Sequence, residues 1–88
     1  MTKFKFLPSV GRDYNTQIDC YAACANYKRQ PEAVKEKIDA LIAEVGGVYA
    51  PALKEYLTTS ANFNYICTKH YISVQTLNSL RKKFYESW

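Results

Sequence analysis

The clearest alternation of apolar and polar positions runs from Pro31 to Val45. Val34, Ile38, Leu41, Ile42 and Val45 recur there at three- and four-residue intervals. They form one stripe, while Glu32, Lys35, Glu36, Lys37 and Asp39 mostly turn to water, so the segment is predicted to be an amphipathic helix. Pro31 suits its first turn, because proline lacks the N–H that an interior position would donate, and Gly46-Gly47 supplies the backbone freedom that closes a helix. Upstream, the same period spans Asp13 to Arg29, with Tyr14, Ile18, Tyr21, Ala22 and Ala25 on one face. Residues 1–11 lack a period and read as a flexible or loosely docked arm, with Lys3, Lys5 and Arg12 in or beside it.

Beyond the glycine pair, a third helix is predicted from Pro51, turning Leu53, Tyr56 and Leu57 inward. Thr58-Thr59-Ser60 breaks it, since hydroxyl side chains compete for backbone hydrogen bonds. Asn62 is a suitable cap for a short fourth helix from Phe63 to about His70, burying Phe63, Ile66 and Cys67. Ser73 caps a fifth, with Leu77, Leu80 and Phe84 inward and Tyr85 and Trp88 as late anchors. The expected fold is therefore all-α, about five short helices in one compact domain. Residues 12–47 form a two-helix N-terminal part, and residues 50–88 form a three-helix unit.

Composition agrees with one small domain. The chain has 88 residues, 48% of them hydrophobic and 23% charged, which are globular values that speak against wholesale disorder. With three Gly and three Pro it lacks the turn residues of a β-sandwich. No apolar run approaches the roughly 20 residues of a bilayer span, and none at the start is long enough for a signal-peptide core. Three cysteines cannot all pair internally, which favours a reducing, cytoplasmic setting. The net charge of +4 is uneven. Residues 1–30 hold five basic and two acidic side chains, residues 31–60 three and five, and residues 61–88 four and one. The acidic middle is a poor nucleic-acid face and the two basic ends are better ones.

One basic end coincides with the most specific pattern in the chain. Ile66 and Cys67 precede a tight corner, Ile72 lies within it, and Leu77 and Leu80 follow; the small Cys67 would let two helices cross closely, with Ile72, Leu77 and Leu80 filling the angle between them. Together with residues 50–57 as a supporting helix, this segment resembles the helix-turn-helix of region four in bacterial sigma factors. It is also similar to small phage-type transcription regulators built on that unit. The corner position that usually holds glycine is Tyr71, which predicts an unfavourable backbone angle or a remodelled turn, and His70 stands where leucine is common.

The resemblance implies a DNA-binding transcriptional regulator, phage or mobile-element encoded, whose partner is duplex DNA. A homodimer or a contact with RNA polymerase is compatible with it. The last helix would enter the major groove with Ser73, Gln75, Thr76 and Ser79 toward base edges and Asn78 at the margin, while Lys69, Arg81, Lys82 and Lys83 meet phosphates. The plain alternative for Arg81-Lys82-Lys83 is a cationic helix end that complements the dipole.

Other constellations are weaker. Cys20, Cys24, Cys67 and His70 supply three sulfurs and a nitrogen at i, i+4 and i, i+3 spacings, but without the tight C-x-x-C knuckle typical of zinc, so no metal or cofactor is expected. A single histidine, no glycine-rich phosphate loop and no paired carboxylates leave no catalytic set, and an enzyme is not expected. Eight tyrosines exceed what a small core buries easily. Tyr14, Tyr21 and Tyr27 are candidates for a partner interface, which defines the alternative function: a helical protein–protein interaction module or an inhibitor of a host protein.

Overall fold

The computed structural model describes residues 6–8, 10–59 and 61–88. Lys3 and Lys5 lie outside the described residues. Five helices follow one another: α1 (Tyr14–Ala25), α2 (Glu32–Gly46), α3 (Ala50–Thr58), α4 (Phe63–Lys69) and α5 (Val74–Ser87). Single 3-10 turns, Tyr27–Arg29 and Gly47–Tyr49, join the first three, and there is no strand among the described residues. The radius of gyration, 12.0 Å, is what one folded domain of this length has, about 12 Å. The fold is all-α.

The nine-residue α3 is the hub. α3 packs on α1, α2, α4 and α5, with Ala52 and Leu53 buried at its centre. α2 reaches it through a tight elbow in which Gly46 is buried. A Cβ at Gly46 would stand 3.4 Å from that of Ala50, so the two helices meet almost backbone to backbone. Gly47 then takes a φ of +54°, a conformation that glycine adopts without steric cost. The α2 stripe lies as its period predicts, Ile38 and Ile42 buried and Val34, Leu41 and Val45 packed at the edge of the core. Down α5, Leu77, Leu80, Phe84 and Tyr85 are buried, and Trp88 is half-buried against the core.

The N-terminal part departs from the sequence expectation in three ways. α1 stops at Ala25, because the Asn26 side chain and backbone N–H both donate to the Ala22 carbonyl and end the ladder, and Tyr27–Arg29 form a separate turn. Its inward stripe is Gln17, Cys20 and Cys24 with Tyr21 packed beside them, whereas Tyr14 and Ala22 are exposed. Small thiols let α1 approach α3 closely, and the polar Gln17 is buried for a reason that the apolar period does not contain.

That reason is the arm, which is docked rather than loose over its described part. Leu7 and Val10 are buried. Gln17 Oε1 accepts the Leu7 N–H at 2.8 Å, and Gln17 Nε2 donates to the carbonyls of Leu7 and Arg12, both at 3.0 Å. The Gln17 side chain, only 1% exposed, thus pairs with the arm much as a neighbouring strand would. Arg12 Nε donates onward to the Glu86 carbonyl at 2.9 Å, fastening the arm to the last turn of α5. Across the same end, Trp88 Nε1 donates to Asp19, and the Lys37 ammonium sits 4.0 Å from the Trp88 ring centre.

Candidate functional site

α3, α4 and α5 form a three-helix unit in which the α4–α5 corner is four residues long, His70 to Ser73. Both helices are capped by the residues that the sequence marks. Asn62 Oδ1 accepts from the N–H groups of Asn64 and Tyr65, and Ser73 Oγ accepts from the Thr76 N–H at 3.0 Å. The corner itself is a Schellman closure. The Ile72 N–H donates to the Cys67 carbonyl at 3.0 Å and the Tyr71 N–H to that of Thr68 at 3.4 Å. Tyr71 occupies the left-handed position at φ 55°, and its side chain is 93% exposed. Ile66, Cys67, Ile72, Leu77 and Leu80 are all buried in the crossing, as their spacing predicts.

A polar clamp holds the corner to α3. Glu55 Oε1 accepts from Lys69 Nζ at 3.0 Å and meets His70 Nε2 at 2.9 Å. The hydrogen bonds from His70 and then Lys69 hold the Glu55 carboxyl below its ordinary value, and the bond to Glu55 raises the Lys69 ammonium. The corner is thereby tied to α3 through the Lys69–Glu55 ion pair and the His70–Glu55 hydrogen bond. Lys69, a predicted phosphate contact, therefore already has an anionic partner.

Arg81 is likewise engaged. One Nη donates to the Tyr56 hydroxyl at 3.0 Å, the other to Asn78 Oδ1, and the guanidinium lies 5.9 Å from the Tyr56 ring centre. Its Nε is buried without a hydrogen-bond partner. Arg81 thus braces α5 against α3 rather than projecting from the domain. Nor do Arg81, Lys82 and Lys83 cap the helix dipole, because α5 runs on to Ser87 and no basic residue stands in its last turn. Lys82 and Lys83 form no ion pair among the described residues.

On the outer side of α5, Gln75, Ser79 and Lys82 share one face, following the helical i, i+4, i+7 spacing. Gln75 and Ser79 are exposed. Ser73 and Thr76 are committed to the cap, since the Ser73 hydroxyl also donates to Thr76 Oγ1 at 2.7 Å. Gln75 also reaches a shallow groove of about 350 Å³, which it lines with Tyr56, Phe63, Val74, Asn78 and Arg81. Tyr56 and Phe63 wall it edge to face, their centres 5.1 Å apart. Val74 is the site residue that the pattern conceals. It stands three before the buried Leu77, which places it on the inward side by period, yet it is 49% exposed at the tip of α5.

The predicted tyrosine interface is dispersed. Tyr27 is occupied internally, its hydroxyl donating to Asp39 and accepting from Lys54 at 3.3 Å, with Lys54 and Lys35 over its ring. Tyr21 packs on the core, and Tyr14 remains exposed beside Phe6, ring centres 6.1 Å apart.

The four possible zinc ligands do not converge: no three His, Cys, Asp or Glu side chains gather into a metal-binding group among the described residues. Cys20 and Cys24 are buried side by side, and the hydrogen bond between them, with burial, pushes the Cys20 thiol up and keeps it protonated. Among the described residues no helix is long and apolar enough to cross a membrane. Comparison with known protein families, curated proteins and solved structures finds no match for this chain.

Proposed function

We propose that the chain is a small DNA-binding transcriptional regulator of the phage or mobile-element type, with α4 and α5 as its helix-turn-helix and duplex DNA as its partner. The observation that carries this reading is the capped α5 beyond a closed four-residue corner, with an outer row of Gln75, Ser79 and Lys82 that is not spent on holding the fold together. In the major groove such a row offers an amide and a hydroxyl to base edges and an ammonium to the backbone. Of the basic residues on α4 and α5, Lys82 and Lys83 are the phosphate contacts this reading favours, since Lys69 and Arg81 are held internally.

Retention of random and selected duplexes at graded salt tests the reading. Gln75→Ala should weaken binding to the selected site by about 1–3 kcal/mol and leave random DNA almost unaffected. Lys82→Ala should weaken both alike and reduce the salt slope by about one. Wild-type protein without salt-sensitive retention of duplex DNA would overturn it.

The exposed Phe6–Tyr14 pair supports the second reading, a helical module that captures another protein. There Tyr14→Ala would abolish partner capture, while Lys82→Ala would leave it intact.

A further inference from the structure

Val74 is a β-branched apolar side chain at the first position of α5, half uncovered, beside an exposed Gln75 whose amide the fold does not use. Of the hydroxyls that flank this pair in sequence, that of Ser73 accepts from the Thr76 N–H and donates to Thr76 Oγ1, which draws both into the cap. The tip of α5 therefore presents one aliphatic group and one free amide, not the hydroxyl-rich tip that the sequence alone suggests. In the major groove a carboxamide matches adenine, which shows a donor and an acceptor together, and an aliphatic group matches the methyl that only thymine carries there. Successive helical residues diverge by about 100°, so the two side chains address different groups within a step of one another instead of crowding one base edge.

Resting on the DNA-binding reading above, we infer that Val74 and Gln75 together select an A/T-containing element, Gln75 on an adenine and Val74 on the methyl of a thymine in the same or the adjacent base pair. Val74 is thus a specificity-determining residue, and binding strength follows the thymine methyl at one position of the site.

The test begins with selection of duplexes from a randomised library on the full-length chain. In the selected site each thymine is then replaced singly by uracil, which removes the C5 methyl and nothing else. Wild type should weaken about three- to fivefold at one thymine, the worth of a buried methyl-sized group. Val74→Ala should bind less tightly and lose all sensitivity to that uracil while still feeling substitution of the adenine. Gln75→Ala should show the reverse pattern. Val74→Thr, of nearly the same shape, serves if the alanine variant is poorly folded, and is expected to lose part of the methyl dependence. Selective binding in which no thymine methyl matters, or in which Val74→Ala still senses it, overturns the inference and leaves the DNA-binding reading standing. Failure to select any sequence overturns both.

Discussion

At the N-terminal arm the chain is closed by a side chain: Gln17 on α1 satisfies the backbone of Leu7 and Arg12 with three hydrogen bonds in a buried place. At the α4–α5 corner the chain closes on itself: Ile72 and Tyr71 return their N–H groups to the last carbonyls of α4, and the side chain at the turning point projects into solvent. The first closure depends on one residue's chemistry. The second depends on backbone geometry, and residue identity enters through the caps Asn62 and Ser73, the Glu55 clamp and the strain at Tyr71. A closure written in one buried side chain should fail abruptly when that side chain changes, whereas one written in the backbone should shift by degrees.

Gln17→Leu is the largest expected break. Leucine fills similar space but leaves the Leu7 N–H and the Arg12 carbonyl without their partner, while the Leu7 carbonyl keeps the Val10 N–H. Each such group costs about 1–3 kcal/mol when it stays buried, partly recovered if the arm lifts into water. The net loss should be about 2–3 kcal/mol, read as a lower midpoint in urea at unchanged slope. Amide exchange at Leu7 should accelerate more than exchange at Ile72. Equal acceleration at both would mean that the arm and the corner are not separate closures.

The same contrast explains what the sequence disclosed. Asn62 and Ser73 announce the corner because their short acceptors are used locally, within three residues, where spacing alone reveals the partner. The α2 stripe and the Leu77–Leu80–Phe84 row are legible because apolar burial follows the helical period. Gln17 is silent, since an amide in a helix ordinarily faces water and its partners lie ten and five residues back in a segment without a period. By apolar period alone the inward face of α1 falls toward Tyr14 and Ala22, away from the buried Gln17. Arg81 misleads in the opposite direction. Within Arg81-Lys82-Lys83 it reads as one of three free cations, and Tyr56, 25 residues upstream, together with Asn78 takes it out of that set. Period places Ser73 and Thr76 at the tip of α5 but does not separate a cap from a base contact, because both call for the same hydroxyls.

A smaller effect should come from the clamp that ties the corner to α3. Hydrogen bonds from His70 and Lys69 hold the Glu55 carboxyl below its ordinary 4.5, so folding stabilises its charged form. With a depressed folded-state value, that contribution is complete above the ordinary value and is lost as the pH falls through the lowered one. Asp13, whose carboxylate caps α1 by accepting from Thr16, behaves in the same way, so wild type alone does not isolate Glu55. The informative quantity is the difference in urea midpoint between wild type and Glu55→Gln. It should favour wild type at pH 6 and close as the pH falls below 4.5 and through the lowered value. A difference that persists unchanged in acid would mean that Glu55 acts by shape and not by charge.

The least perturbing change falls at the turning point of the corner. Tyr71 holds φ 55°, where a side chain other than glycine crowds the following carbonyl at a cost of about 1–2 kcal/mol. Its ring is 93% exposed, so little burial offsets that cost. Tyr71→Gly relieves the crowding but adds freedom to the unfolded chain, which takes back about 0.4–1 kcal/mol. The net expectation is a gain of about 0.5–1 kcal/mol, measured as a higher urea midpoint with an unchanged far-ultraviolet spectrum. Because α5 begins three residues later, the same variant measured against the selected duplex separates two origins of the tyrosine. Unchanged affinity with raised stability assigns Tyr71 no part in recognition. Weaker binding from a more stable protein would mean that the strained turn carries an aromatic contact to the partner, the pattern expected where local strain is kept for function.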